Sequence, residues 1–296
     1  MEKKERAKQA GPGAGKGGPV GPLFLVGLGL CDEQDVSARS IELLRTCTGL
    51  FAESYTNLMR EGTLRRLEEK IGRKIKPLGR EEVESEKIIL DACSLGPTAL
   101  LVPGDPMTAT THSSLITAAK EKGIEAHILH ASSIFTAAPG AAGLQIYKMG
   151  KTATITYWRK NYEPAAFIDI VAENLARGAH TLCLLDIDPE MGCMKPSQAL
   201  EIMEKAQEKR KKENPALAPV LSPATPLFVL WHVGWPDQKI WAGKKEHYPY
   251  SGRPQKEPGS GPAASAPSRE PDGPAVILIA GKMHFAEEEN WKSLSR

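Results

Sequence analysis

The chain has 296 residues, 41% of them hydrophobic and 25% charged, and Lys plus Arg exceed Asp plus Glu by only 38 − 36 = 2. That length accommodates two cores of ordinary domain size, and so small a charge excess gives no global positive field to draw the chain onto nucleic acid. No apolar run approaches the roughly 18 residues of a membrane span, and the five cysteines are scattered without C-x-x-C spacing, which excludes a disulfide framework and a zinc site and points to a reducing, cytoplasmic compartment.

Residues 1–21 are rich in Gly, Lys and Pro and lack the apolar centre of a secretory signal, so they read as a disordered basic tail. An apolar run at 22–30 ends in Gly27-Leu28-Gly29, the pattern of a buried strand feeding a tight loop. A helix is expected over 37–47, a strand over 49–52, a charged helix over 63–71 and a buried strand over 98–102. That last strand runs directly into Pro103-Gly104-Asp105-Pro106, and a helix over 113–122 and a strand over 125–129 follow. Strand alternating with helix is the signature of an α/β fold with a parallel sheet covered on both faces. The glycine loop and the 103–112 loop both fall at the carboxyl edge of that sheet, where such folds bind ligands.

The second half reads as a second α/β unit. A small-residue helix at 133–144, a strand at 151–157, a helix at 164–177, a buried strand at 181–187 and a long amphipathic helix at 197–212 lead to strands at 227–231 and 275–279. Between the last two strands, 244–274 is dense in Pro, Gly, Ser and charge, and is expected to be a disordered surface insertion between paired strands. The expected organisation is therefore a tail at 1–21, an N-terminal α/β domain at 22–129, and a C-terminal α/β domain at 130–296 carrying the insertion.

Taken singly, the motifs leave their chemistry open. Gly27-Leu28-Gly29 lacks the third glycine of the dinucleotide fingerprint, so it is either a plain turn or a place where backbone approaches a flat ligand. Asp105, displayed between two prolines, is either a turn former or a carboxylate that holds an ammonium group or a neighbouring loop. His112 and His130 have no partner at metal-ligand spacing and read as structural, and Asp186 with Asp188 lacks the further oxygens of a calcium loop. No nucleophile elbow, zinc-protease or Walker motif occurs.

Several stretches together resemble the diphthine synthases, within the wider tetrapyrrole-methylase-like class. They are Leu25-Val26-Gly27-Leu28-Gly29-Leu30, Ala52-Glu53-Ser54-Tyr55, the 103–106 turn with Ala109-Thr110-Thr111-His112, residues 130–134, 143–148 and 180–187, and Gly281-Lys282-Met283-His284. The resemblance implies two α/β domains with S-adenosyl-L-methionine bound in the cleft between them, usually in a homodimer. It implies cofactor contacts at Leu30, Asp105, Thr108, Ser133, Ile134, Leu185, Val233 and Ala275. The implied reaction is methylation of the amino group of a modified histidine on translation elongation factor 2 during diphthamide biosynthesis, with no metal, membrane or nucleic-acid partner. An amine must lose a proton before it attacks, and Glu53, just past the second strand, is the candidate acceptor. Two positions depart from the family pattern: His232 stands where an arginine is usual and Ala275 where a histidine is common. Competing readings are a methyltransferase of the same fold acting on a tetrapyrrole or ribosomal RNA, and a scaffold that has lost turnover.

Overall fold

A computed structural model describes residues 20–55, 58–216, 219–250 and 269–295. Five strands make the first sheet: β1 (Leu23–Gly27), β2 (Gly49–Glu53), β3 (Lys76–Leu78), β4 (Thr98–Val102) and β5 (Ala126–Leu129). All are parallel, in the order β3-β2-β4-β1-β5. Helices α1 (Ala38–Thr46), α2 (Thr63–Ile71), α3 (Arg80–Glu84), α4 (Lys87–Cys93) and α5 (Ser113–Glu121) connect them. Alternate residues of each strand feed opposite faces. Leu23, Leu25, Leu100 and Val102 pack with Ile89, Cys93 and Leu115 on one side. Val26, Ala52, Ala99 and Leu101 pack with Ile41, Leu44 and Leu67 on the other. Each such leucine stabilises the fold by roughly 1.5–3 kcal/mol on burial.

The second sheet is mixed, in the order β11-β10-β12-β7-β6. Its strands are β6 (Ala153–Ile155), β7 (Thr181–Leu185), β10 (Pro226–Trp231), β11 (Lys239–Lys244) and β12 (Ala275–Ile279). Only β6 and β7 run parallel; β7–β12, β12–β10 and β10–β11 are antiparallel. A two-stranded hairpin, β8 (Ile187–Asp188) with β9 (Gly192–Cys193), projects beyond β7. Helices α7 (Ala166–Ala176) and α8 (Pro196–Glu213) cover one face, packing Phe167, Ile168, Leu200 and Met203 against Leu227, Val229 and Ile277. Helices α6 (Ile134–Ala142) and α9 (Phe285–Leu294) cover the other, against Phe228, Leu230 and Leu278.

Local capping explains several boundaries. The Ser37 hydroxyl accepts from the Ser40 N–H to start α1, and Ser133 accepts from Phe135 N–H to start α6. Proline at the first position of α8 needs no N–H partner there.

The expected disordered span 244–274 is too wide. Lys244 closes β11, Tyr248 is 2% exposed, and Glu270 is buried. The Glu270 carboxylate accepts from Tyr248 Oη (2.6 Å), Ser197 N–H (3.0 Å) and Ser197 Oγ (2.5 Å). Both ends of the stretch are thus held by a buried polar network beside the aromatic pair Trp241–Tyr248. Residues 251–268 of the expected insertion, and 1–19 of the expected tail, lie outside the described residues. Gly21 is already part of the fold, its N–H donating to the Cys93 carbonyl at 2.8 Å.

A cleft between the two sheets

The carboxyl ends of β1, β2 and β4 point the same way, so the residues just past them meet at one edge. There the glycine loop after β1 and the turn after β4 bond to each other. Gly29 N–H donates to Gly104 O at 3.3 Å, and Gly104 N–H donates to Gly29 O at 2.7 Å. Gly29 has φ 79°, and a Cβ built on it would stand 2.5 Å from Asp35 Cβ, so only glycine fits. The Asp35 carboxylate fixes the rest of the loop by accepting from the N–H groups of Leu30 (3.0 Å) and Cys31 (2.8 Å).

Asp105 ties two loops together. Its Oδ1 accepts from Met107 N–H at 3.0 Å and Thr108 Oγ1 at 3.3 Å. Its Oδ2 pairs with His130 Nδ1 at 2.7 Å and accepts from Ala131 N–H at 3.3 Å. Burial works against the charged carboxylate, but the Met107 N–H, His130 and the Ala131 N–H outweigh it and hold the group below its ordinary range. Beyond it, Ala109 sits at φ 55°, a left-handed conformation unusual for alanine.

The edge of the first sheet faces the second sheet across a cleft of about 320 Å³. Leu30 enters it from the β1 loop, Asp105 and Thr108 from the β4 loop, and Ser133 and Ile134 from the start of α6. The second sheet contributes Leu185 from the end of β7, Val233 from beyond β10 and Ala275 from the start of β12. Glu53, at the end of β2, lies on the same cleft. All nine residues singled out from the sequence therefore border one cavity. Their neighbours Tyr55, Arg80, Asp186 and Trp235 also line it, and of these Arg80 carries no sequence signal at all.

Glu53 is 3% exposed and His112 equally so. His112 Nε2 is 3.0 Å from Glu53 Oε2, close but poorly aligned for a linear hydrogen bond, while Nδ1 lies 2.9 Å from the Pro106 carbonyl. Burial opposes protonation of His112, yet the Glu53 partner, the Pro106 carbonyl and the Glu53 charge together raise its pKa. Burial, followed by the nearby Glu53 charge, pushes the Tyr55 phenol up to about 12. Glu53 thus has the His112 imidazole in contact and the Tyr55 phenol nearby. His112, read from the sequence as structural, partners this carboxylate.

Asp188 serves the β8–β9 turn, accepting from the N–H groups of Glu190 (2.9 Å) and Met191 (3.0 Å) and pairing with Arg159. Among the described residues no group of His, Cys, Asp and Glu forms a metal site, and no helix is long and apolar enough to cross a membrane.

At the far lip, Trp235 Nε1 donates to the Leu30 carbonyl at 2.8 Å, directly bridging the two halves. Its ring stacks on His232, with centroids 4.6 Å apart. His232, the departure noted from the sequence, has φ 53° and is held between Asp237 Oδ2 and the Asp272 carbonyl, both at 2.9 Å. Here histidine is the anchor of the Trp235 turn.

A parallel sheet and a mixed sheet with a cleft across their facing edges are the architecture of one class of methyltransferase. The chain belongs to the tetrapyrrole (corrin/porphyrin) methylase family, whose model matches residues 22–248. Within that family it is a methyltransferase of the diphthine synthase group. It is 36% identical to the diphthine synthase of Methanocaldococcus jannaschii over 279 residues, 92% of this chain and 98% of that one. It is 38% identical to the human diphthine methyl ester synthase over 241 residues, 75% of this chain and 82% of that one. A crystal structure of diphthine synthase superposes with a TM-score of 0.74 at 26% identity, covering 92% and 95% of the two chains.

Proposed function

We propose that the chain transfers methyl groups from S-adenosyl-L-methionine to the modified histidine of translation elongation factor 2, the diphthamide precursor. The observation that carries this reading is the convergence of Leu30, Asp105, Thr108, Ser133, Ile134, Leu185, Val233 and Ala275 on one cleft. The lining chemistry fits such a cofactor. Apolar Leu30, Ile134, Leu185 and Val233 suit a purine, and the hydroxyls of Thr108, Ser133 and Thr154 suit a ribose. A Cβ built on Gly104 would meet no heavy atom within 4 Å, so the bare backbone there borders open space in the cleft. Three carboxylates (Glu53, Asp105 and Asp186) against the single guanidinium of Arg80 give the lining a negative balance suited to a sulfonium.

The bound cofactor would supply a methyl group on sulfur, the bonding pair returning to sulfur as the methyl leaves. The protein's part is to position and to exclude water. Glu53 is the proposed proton acceptor: its carboxylate lies on the cleft beside His112 and Tyr55, where it can take the proton of the incoming ammonium. A homodimer working in the cytoplasm, with neither membrane nor nucleic-acid partner, goes with this reading.

The test is calorimetric titration of S-adenosyl-L-methionine, followed by addition of elongation factor 2 bearing aminocarboxypropyl-histidine and mass measurement. Cofactor binding with methyl-sized mass steps is the expected result. The relatives' names include both a diphthine synthase and a diphthine methyl ester synthase, and the number of steps, with loss of one on mild alkali, separates those products. Cofactor binding without a mass gain would move the substrate to a tetrapyrrole or RNA, and absence of cofactor binding would favour the scaffold.

A further inference from the structure

The order of the first sheet divides the cleft into two parts. Leu30, Asp105 with Thr108, and Ser133 with Ile134 follow β1, β4 and β5, which are adjacent strands. Glu53 with Tyr55, and Arg80, follow β2 and β3, the two strands on the other side of β4. Neighbouring strands stand about 4.8 Å apart, so this second group lies to one side of the proposed cofactor residues. It has its own chemistry: a buried carboxylate, a phenol beside it, and a guanidinium whose carbon lies 5.3 Å over the phenol ring.

Arg80 is the only basic side chain among the described residues that line the cleft. Its one ion pair among the described residues, to Glu84, is long at 4.0 Å, and its side chain is 66% exposed. Stacking on Tyr55 limits where the guanidinium can go while leaving its N–H fork available. A carboxylate is the planar group that such a fork binds in bidentate fashion.

Resting on the function proposed above, we infer that Arg80 reads the carboxylate of the acceptor, and that the β2–β3 side of the cleft is a subsite for an amino-acid-like group. The amine of that group is turned toward Glu53 and its carboxylate toward Arg80. Arg80 is a specificity residue in this scheme, and Tyr55 positions it. The sequence gives no hint of this role, because Arg80 belongs to no motif and reaches the cleft only through the pairing of β3 with β2.

The experiment compares wild type with Arg80→Gln and Arg80→Lys, using elongation factor 2 bearing aminocarboxypropyl-histidine as acceptor and calorimetry for S-adenosyl-L-methionine. For Arg80→Gln the KM for the acceptor should rise about tenfold or more, the gain of one charge-assisted pair. The cofactor Kd should stay within about twofold of wild type, and kcat should change less than KM. Arg80→Lys should recover part of the loss, since it restores charge without the fork. A weakened cofactor Kd with unchanged acceptor KM would assign the guanidinium to the cofactor's own carboxylate and overturn the inference. Unchanged KM, kcat and Kd would overturn it equally. If the wild-type chain binds cofactor but leaves the factor unmethylated, the functional reading itself falls, and the inference with it.

Discussion

At Gly29 two constraints act through different atoms. Its backbone N–H and carbonyl are committed to Gly104, and its missing side chain makes room for Asp35. In Gly29→Ala the positive φ costs about 1 kcal/mol, and displacing Asp35 adds about 1–3 kcal/mol of overpacking. The N–H groups of Leu30 and Cys31 would move with the Asp35 carboxylate that accepts from them. The expected outcome is a Tm lower by several degrees and a cofactor Kd weakened at least tenfold, measured by thermal melts and calorimetry. A lowered Tm with unchanged Kd would show that the loop only supports the fold. The sequence displays both glycine turns but not their pairing, because residues 29 and 104 meet only after β1 and β4, distant in the chain, have paired. The place of Glu53 at a strand end, with Tyr55 two residues on, was legible, whereas its neighbour His112 arrives from the 103–112 loop. Glu53→Gln preserves shape and hydrogen-bonding capacity, so folding should survive. Turnover should fall by about 10²–10⁴ with cofactor binding intact, the range expected for loss of a general base. Retention of full turnover and a normal pH profile would remove Glu53 as proton acceptor.

Helix α9 is held by charge more than by apolar area. Glu287 is 1% exposed and accepts from Gln145 N–H (2.8 Å), His284 N–H (2.6 Å) and Lys148 Nζ (2.5 Å), with His180 Nε2 at 3.1 Å. Because Gly281 N–H donates to His180 Nδ1 at 3.0 Å, the ring proton sits on Nε2 and points at Glu287. Burial works against the Glu287 charge, but its N–H and Lys148 donors bring its pKa down to about 2; burial is also the chief cause that lowers His180, against the pull of Glu287. Both shifts act in one direction. A carboxylate depressed in the folded state contributes stability that is present above its ordinary pKa near 4.5 and is lost as pH falls toward 2. A histidine depressed from 6.5 lets the unfolded chain bind protons first, so stability already declines below that pH. Denaturant melts from pH 7 to 3 should show loss in both windows. In Glu287→Gln the decline below about 4.5 should flatten, while stability at pH 7 drops by about 3 kcal/mol, the cost of breaking a buried pair. A pH profile parallel to wild type would show that Glu287 is not the titrating group. This helix escaped the sequence reading because its Glu-rich face looks solvated and its anchor comes from residues 145, 148 and 180. Strand β11 escaped for a related reason: Lys239–Lys244 carries lysine at both ends and acquires strand geometry by pairing with β10. Elements with strong internal periodicity, such as α1, β4 and β7, were legible within a residue or two, since the apolar pattern that defines them is local.

Across the whole molecule, the two sheets were readable as separate α/β units, and the strands at 227–231 and 275–279 pair as expected, but their antiparallel direction was not readable, because composition and period carry no strand direction. The relation between the halves then depends on contacts that span the cleft, of which the Trp235 donation to the Leu30 carbonyl is the most direct. Leu30 also lines the cavity, so this bond couples the width of the cleft to the position of one of its walls. Trp235→Phe keeps an aromatic ring to stack on His232 and removes only the donor. Losing one such bond costs about 1 kcal/mol, too little to unfold either core. The consequence should appear when ligand is present. At a concentration of 100 times Kd, a ligand stabilises the folded state by about 2.7 kcal/mol, and a fivefold weaker Kd lowers that gain by about 1 kcal/mol. The apo variant should therefore melt close to wild type, while the rise in Tm on adding S-adenosyl-L-methionine shrinks. Amide exchange should quicken in the Leu30 loop and around residue 235 together, as expected if one bond restrains both. Equal ligand-induced shifts in wild type and variant would mean that packing alone fixes the two halves, with Trp235 merely lining the lip.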